Sequence, residues 1–286
     1  MNNNFLYEMV TNKILEALDN KIVPWKRPWD CKHAPANALT GKAYSGANIL
    51  VLNSVQMLKG YKSNKWLTFL QAQKLGGSVK TNEECTYIVY WNFFNTPSEE
   101  NKKSRMIPLL KYHKVFNTEQ CENLTLPETP ETKEFEDIKT CEEIIEAMPN
   151  KPEIEFTGDK ACYIPSLDKV KMPEKVQFHK EEEFYSTFFH ELVHSTGHEK
   201  RLNRKTIGAH AFGSETYSKE ELVAEIGASM LASVTGIFDE TLEMSTSYIE
   251  SWRKKISEDK KLVITAAGQA QKAVDFVMNK KSGKGE

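Results

Sequence analysis

At 286 residues the chain is long enough for one large or two ordinary domains, each with a core of its own. A formal net charge of −2 at pH 7 excludes a uniformly basic or acidic chain, and no apolar run approaches the roughly 20 residues that span a membrane. The five cysteines (Cys31, Cys85, Cys121, Cys141, Cys162) are scattered with no C-x-x-C pair, which fits reduced thiols in a cytoplasmic setting better than a disulfide framework or a cysteine zinc site.

The charge is unevenly spread. Residues 1–120 hold 16 Lys and Arg against 9 Asp and Glu, residues 121–159 hold 3 against 12, and the remainder is balanced. A basic front, an acidic connector and a neutral back follow one another, and the front carries four of the five tryptophans.

Residues 4–20 predict an amphipathic helix rather than a signal peptide, with Phe5, Met9, Ile14 and Leu18 near one face and an end before Val23-Pro24. Pro24-Trp25-Lys26-Arg27-Pro28-Trp29 packs two indoles, two cations and two prolines into six residues. It reads either as a loop that caps a core or as a stiff platform on which bases stack while Lys26 and Arg27 hold phosphates. Asn37 to Asn48 is a polar, glycine-bearing turn whose spacing is not that of a phosphate loop, and it leads into a helix from Ile49 to Leu58. Trp66 to Leu75 predicts a short helix stopped by Gly76-Gly77, and Thr86 to Phe94 a strand. A partner strand follows from Met106 to Phe116. The front half is therefore expected to be α+β.

These front-half motifs resemble the N-terminal domain of the ArdC family of plasmid antirestriction proteins, also found in certain conjugative primases. The resemblance is carried by Val23 to Trp29, Asn37 to Asn48, Trp66 to Val79 and Val115 to Cys121. It implies single-stranded DNA binding, with contacts from Trp25, Lys26, Arg27, Trp29, Asn37, Tyr44, Asn48, Trp66 and Gln71. One departure stands out: the family's glycine-bearing basic turn after Val79 reads Lys80-Thr81-Asn82-Glu83-Glu84-Cys85 here.

Residues 122–135 have the composition of an acidic linker. The domain organisation expected is thus 1–121, the linker, and 136–286. Asp137 to Met148 predicts a helix, Ile154 to Phe156 and Ala161 to Ile164 short strands. Asp168 to Met172 predicts a further strand, by default an ordinary sheet strand, although zinc peptidases often align a peptide along an edge strand in this place.

Acid at Glu181-Glu182-Glu183 suits the first turn of the next helix, which carries His190-Glu191-Leu192-Val193-His194. Histidines four apart lie one above the other on a helix, so both imidazoles reach one cation, and Glu191 between them can take a proton from a water without being a ligand. The pattern is expected about 0.02 times by chance in a chain of this composition. A catalytic zinc needs a third protein ligand. The three-histidine version fails, because the position three after Gly197 is Lys200, and His198 would need a sharp backbone reversal. Glu221 and Glu225, at i and i+4 beside small Gly227 and Ala228, supply a carboxylate from a second helix. Glu221 is the expected ligand with Glu225 orienting the first set, and the reverse assignment stays open. Ser218-x-x-Glu221 also reads as a capping box.

This half too resembles ArdC, through His190 to His198, Arg201 to Arg204 and Tyr217 to Ala228. The resemblance implies a zincin-like metallopeptidase domain that uses Zn²⁺, or another divalent cation such as Mn²⁺, on a protein substrate that the sequence does not name. His210, Tyr217, Arg201 and Arg204 are the available donors to an oxyanion. Ser257 to Asn279 should form one closing helix, with Ala266, Ala267, Ala270, Ala273, Val274 and Val277 buried, before a disordered tail from Lys280. Two other readings fit the same residues: a DNA-coating protein with a structural or vestigial metal, and a general cytosolic zinc peptidase.

Overall fold

The structure is a computed structural model that describes residues 3–25, 35–95, 106–127, 137–178, 180–207, 215–237 and 246–280. Among these, no helix is long and apolar enough to cross a membrane. The chain divides into two units. Of the described residues, those before Trp25, those from Pro35 to Pro127, and Trp252–Lys261 form the first. Trp25, the residues from Asp137 to Ser251 and those from Leu262 onward form the second.

In the first unit, α1 (Asn3–Asp19) buries Leu6, Val10, Ile14, Ala17 and Leu18. Phe5, expected on that stripe, is 47% exposed, because the face that packs is the i, i+4 ladder starting one residue later. The elements that follow are β1 (Ala36–Asn37), α2 (Ala47–Lys59), β2 (Lys65–Leu67), α3 (Phe69–Lys74), β3 (Ser78–Val79), β4 (Thr86–Asn95), β5 (Met106–Asn117) and β6 (Cys121–Glu122). The main sheet runs β1-β2-β5-β4 and β3 pairs with β6. The helix expected over Trp66–Leu75 is split in two. Thr68 closes a reciprocal capping box with Gln71, so the helix cannot begin before Phe69, and Trp66-Leu67 extend as a strand against Phe116-Asn117. Leu52, Val55, Trp66, Ile88 and Val115 form one core cluster of this unit.

The second unit carries α4 (Asp137–Ala147), β7 (Glu153–Phe156), β8 (Cys162–Ile164), β9 (Lys169–Met172), α5 (Glu181–Ser195), α6 (Glu215–Thr235), and α8 (Leu262–Val277) after α7 (Thr246–Glu258). Its sheet order is β7-β9-β8. β9 is the ordinary central strand of this sheet rather than a peptide-aligning edge: it pairs with a neighbour on each side, Val170 and Met172 are buried, and β8 is an edge. α6 packs on both α5 and α8. A Cβ at Gly227 would come within 2.8 Å of Val193 Cγ2, so α6 lies against the metal-helix candidate α5 only because that position is glycine.

The single closing helix expected over Ser257–Asn279 is two helices. Its first part belongs to α7, whose second half joins the first unit: Thr11 Oγ1 donates to the Lys260 carbonyl at 2.7 Å and Lys260 pairs with Glu8 at 2.6 Å. These contacts hold Asp259-Lys260-Lys261 as a break despite a favourable helical pattern. The six apolar positions expected to be buried in α8 are buried. Residues 281–286 lie outside the described residues.

Candidate metal centre

The helix α5 buries Phe184, Phe188, Leu192 and Val193 and so turns His190 and His194 toward α6. His190 Nε2 and His194 Nε2 are 3.1 Å apart. Glu221, from α6, places its two oxygens 3.6 Å from His190 Nε2 and 3.3 Å from His194 Nε2. The three side chains form the metal-holding group found among the described residues. Ligands of a tetrahedral site with bonds of about 2.0–2.1 Å stand about 3.3 Å from one another. One Glu221 oxygen faces each imidazole and one donor atom from each of the three residues lies within 4.8 Å of the others, a set that can close on one cation, and two imidazoles with one carboxylate suit Zn²⁺ and also Mn²⁺.

Burial alone would push the His194 pKa down, but hydrogen bonding to Glu220 and Glu221 outweighs it and lifts the group from its ordinary 6.5 to about 9. Glu221 is likewise affected first by burial, which raises it, and then more strongly by His190 and His194, which hold its carboxyl well below the carboxylate range. The triad is thus a proton-sharing ion pair whose charges a cation would replace.

Glu191 is 8% exposed, and its Oε2 accepts the Tyr163 backbone N–H at 2.7 Å. Edge strand β8 is thereby tied to Glu191 through one carboxylate oxygen. These groups line a cleft of about 320 Å³, walled by Cys162, Tyr163 and Pro165 on one side and Thr206 and Ile207 on the other.

Behind His194 stands a group that sequence reasoning missed. Glu220 Oε1 lies 3.4 Å from His194 Nδ1, and the Arg204 guanidinium grips both Glu220 oxygens while donating to the Val193 carbonyl at 2.8 Å. A ligating histidine needs its second nitrogen held, and Glu220 does this rather than Glu225. Glu225 Oε1 instead accepts from Tyr248 OH at 3.1 Å, and it is not in the converging group. The only available signal was the acid immediately before Glu221. The capping reading of Ser218 and Glu221 also fails, because α6 begins three residues earlier, at Glu215. His198 turns away from the triad to Asp168, at 3.7 Å.

Two of the expected oxyanion donors are spent elsewhere. Arg201 is clamped by Asp168, the Ser195 carbonyl at 2.7 Å and the Asn150 carbonyl at 2.8 Å, and Arg204 by Glu220. His210 and the Tyr217 side chain lie outside the described residues.

The residues expected to touch DNA separate. Trp25 is 1% exposed and its Nε1 donates to Tyr248 OH at 3.3 Å, so its indole is core and no stacking platform. Trp66 is fully buried, with Nε1 on Asn64 Oδ1 at 2.9 Å. Asn48 clamps the edge of β4, donating to the Val89 carbonyl at 2.7 Å and accepting the Val89 N–H at 2.8 Å. Asn37 bridges Tyr44 and Gln71, at 3.4 and 3.1 Å, and also accepts from the turn it caps. Lys26, Arg27 and Trp29 lie outside the described residues.

Comparison with known proteins agrees with this architecture. Residues 4–116 match the N-terminal domain of anti-restriction factor ArdC, and residues 139–269 a zincin-like metallopeptidase domain. A DNA primase TraC of Escherichia coli is 32% identical over 95% of this chain, which spans 20% of that protein's length, and a second TraC is 33% identical with 27% of its length spanned. The uncharacterized protein y4eC of Sinorhizobium fredii (strain NBRC 101917 / NGR234) is 30% identical over 95% of this chain and 91% of its own. The metal-free crystal structure of the antirestriction ArdC protein from plasmid R388 superposes with a TM-score of 0.76 at 31% identity, covering 96% of this chain and 97% of that one. Its Mn(II)-bound structure gives the same TM-score and identity over 98% and 99%. With both halves matched in order and a full-length structural relative above 30% identity, the chain belongs to the ArdC antirestriction family, an ArdC N-terminal domain joined to a zincin-like domain.

Proposed function

We propose that this protein protects the DNA of a mobile element from restriction by binding single strands through its first unit, and that its second unit is a metallopeptidase. The observation that carries the peptidase reading is the donor triangle of His190, His194 and Glu221 with Glu191 in the same cleft. A divalent cation there, Zn²⁺ or Mn²⁺, would supply a Lewis acid and a water acidified toward neutrality. Glu191 Oε1 then takes the proton, since Oε2 is occupied by the Tyr163 amide and keeps the carboxylate oriented. Glu220 accepts from His194 Nδ1, which leaves Nε2 as the coordinating nitrogen.

Edge strand β8 would align the peptide. In an antiparallel ladder a residue whose N–H points away from its partner strand points its carbonyl away too. With the Tyr163 amide directed at Glu191, the Tyr163 carbonyl is on the cleft side, free to receive a substrate N–H.

The DNA-binding half of the reading is supported by family membership and by the basic balance of residues 1–120. The test is Glu191→Gln. Metal content by elemental analysis should match the wild type, while hydrolysis of an unfolded protein substrate falls by about 10²–10⁴-fold, the usual worth of a general base. Hydrolysis equal to wild type would remove Glu191 from the reaction. If the variant loses hydrolysis yet protects DNA fully in a restriction challenge, proteolysis is no part of the protection.

A further inference from the structure

We propose that single-stranded DNA is held on the ribbon formed by β4 and β5, with Tyr87, Tyr112 and Lys114 as contacts; this rests on the DNA-binding reading above. The two strands, of 10 and 12 residues, carry seven aromatic residues, two lysines, one histidine and no carboxylate. With 40 Asp and Glu in 286 residues, about three acids would be expected in a stretch of that length. A surface ribbon needed only for structure would mix both signs. This one is aromatic and cationic, the composition that stacks bases and neutralises phosphates.

The geometry places the groups together. Ten successive residue pairs join β4 to β5, from Thr86 opposite Val115 to Asn95 opposite Met106. β2 reaches β5 only at Phe116 and Asn117, so along those ten pairs β5 has β4 as its strand partner among the described residues. Ile88 and Val115 anchor one face in the core. Because directly opposed residues share a face, Tyr87 and Lys114 lie together on the other, with Tyr112 opposite Val89, and the buried Val89 and Leu110 form the apolar floor of that face. The Tyr87 and Tyr112 rings meet edge to face at 5.5 Å, and Lys114 Nζ stands 5.8 Å from the Tyr87 ring centre. Lys114 is exposed and both tyrosines are half-buried. The buried indoles of Trp25 and Trp66 cannot stack bases.

The experiment is fluorescence anisotropy of the full chain with a labelled oligonucleotide of about 20 nucleotides, as single-stranded DNA, duplex DNA and single-stranded RNA, over a salt series. Lys114→Gln, at an exposed position, should weaken single-strand binding severalfold and reduce the salt slope by about 0.7, one phosphate contact. Tyr112→Ala should cost about tenfold or more, the loss of one stacked base, while Tyr112→Phe binds as the wild type does. If the wild type binds and both Lys114→Gln and Tyr112→Ala match it, the ribbon is not the site. If the wild type binds no single strand at all, the DNA reading falls and the ribbon with it. Duplex bound as tightly as the single strand would overturn base stacking, and RNA preferred over DNA would overturn DNA as the occupant.

Discussion

The metal cleft and the β4–β5 ribbon differ in how their polar groups are held. In the cleft every group is committed: His194 to Glu220 and Glu221, Glu220 to Arg204, Glu191 to the Tyr163 amide. On the ribbon, Tyr87 meets Tyr112 edge to face and Lys114 stands over the Tyr87 ring. A cation demands distances fixed to a few tenths of an ångström, so its site must be over-determined by a surrounding shell. A single strand is a flexible polyanion that many weak, similar contacts can hold. Substitutions in the cleft should therefore act as switches, and those on the ribbon as graded losses.

The largest effect is expected from Glu221→Ala. With one of three ligands gone, metal retained after dialysis, read by elemental analysis, should drop from one equivalent to near none, and oligonucleotide binding should stay at wild-type strength. Full metal retention would move the third ligand elsewhere, and Glu225→Ala would then be the variant that loses it.

Next in size is Arg204→Met. It leaves Glu220 buried beside His194 without its cation, which should destabilise the fold by about 3–5 kcal/mol in denaturant unfolding. An unchanged unfolding midpoint would show that the Arg204–Glu220 pair is dispensable. Glu220→Gln should weaken metal affinity by about 10–100-fold, since the His194 tautomer is then no longer selected. Wild-type affinity in that variant would mean the 3.4 Å approach is incidental.

The subtlest expectation concerns pH. Raised to about 9 from 6.5, His194 stabilises the metal-free fold fully below pH 6.5, and that contribution is lost as pH rises through about 9. Glu220 and Glu221, both lowered from 4.5, contribute above that value and lose their effect only in acid. The melting temperature of metal-free protein should therefore decline between pH 6.5 and 9. Metal affinity should climb over the same interval by about tenfold per pH unit, because the cation must displace the His194 proton. A metal-free profile that is flat across this window would contradict the ion pair.

Both lessons of the fold come from particular residues. The alignment of His190 and His194 was legible because it follows from helical spacing alone, and α6 lies close to α5 where Gly227 was expected to allow it. Strand β4 and its partner β5 were legible from their β-branched and aromatic residues. The split of Trp66–Leu75 into strand and helix was written in the Thr68–Gln71 capping box but hidden by the stronger apolar period around it. Glu220 was not legible as the group behind His194, since adjacent glutamates on α6 differ only by a rotation that packing against α5 decides.

Local chemistry set the secondary elements, the two-histidine spacing and the proximity of Glu191 to both histidines, because each depends on bond geometry and on residues within a few positions. Tertiary packing decided which aromatic residues are core and which are surface, and which strand is the sheet edge. It also chose which of three glutamates converges with the two histidines, which stands behind His194 and which bonds a tyrosine. Trp25 shows the reason: proline-flanked and cation-flanked, it has the local signature of a binding platform, yet it is buried with its indole N–H on Tyr248, 223 positions along the chain. Burying so large an apolar side chain with its one donor satisfied is worth more than any local preference to leave it in water.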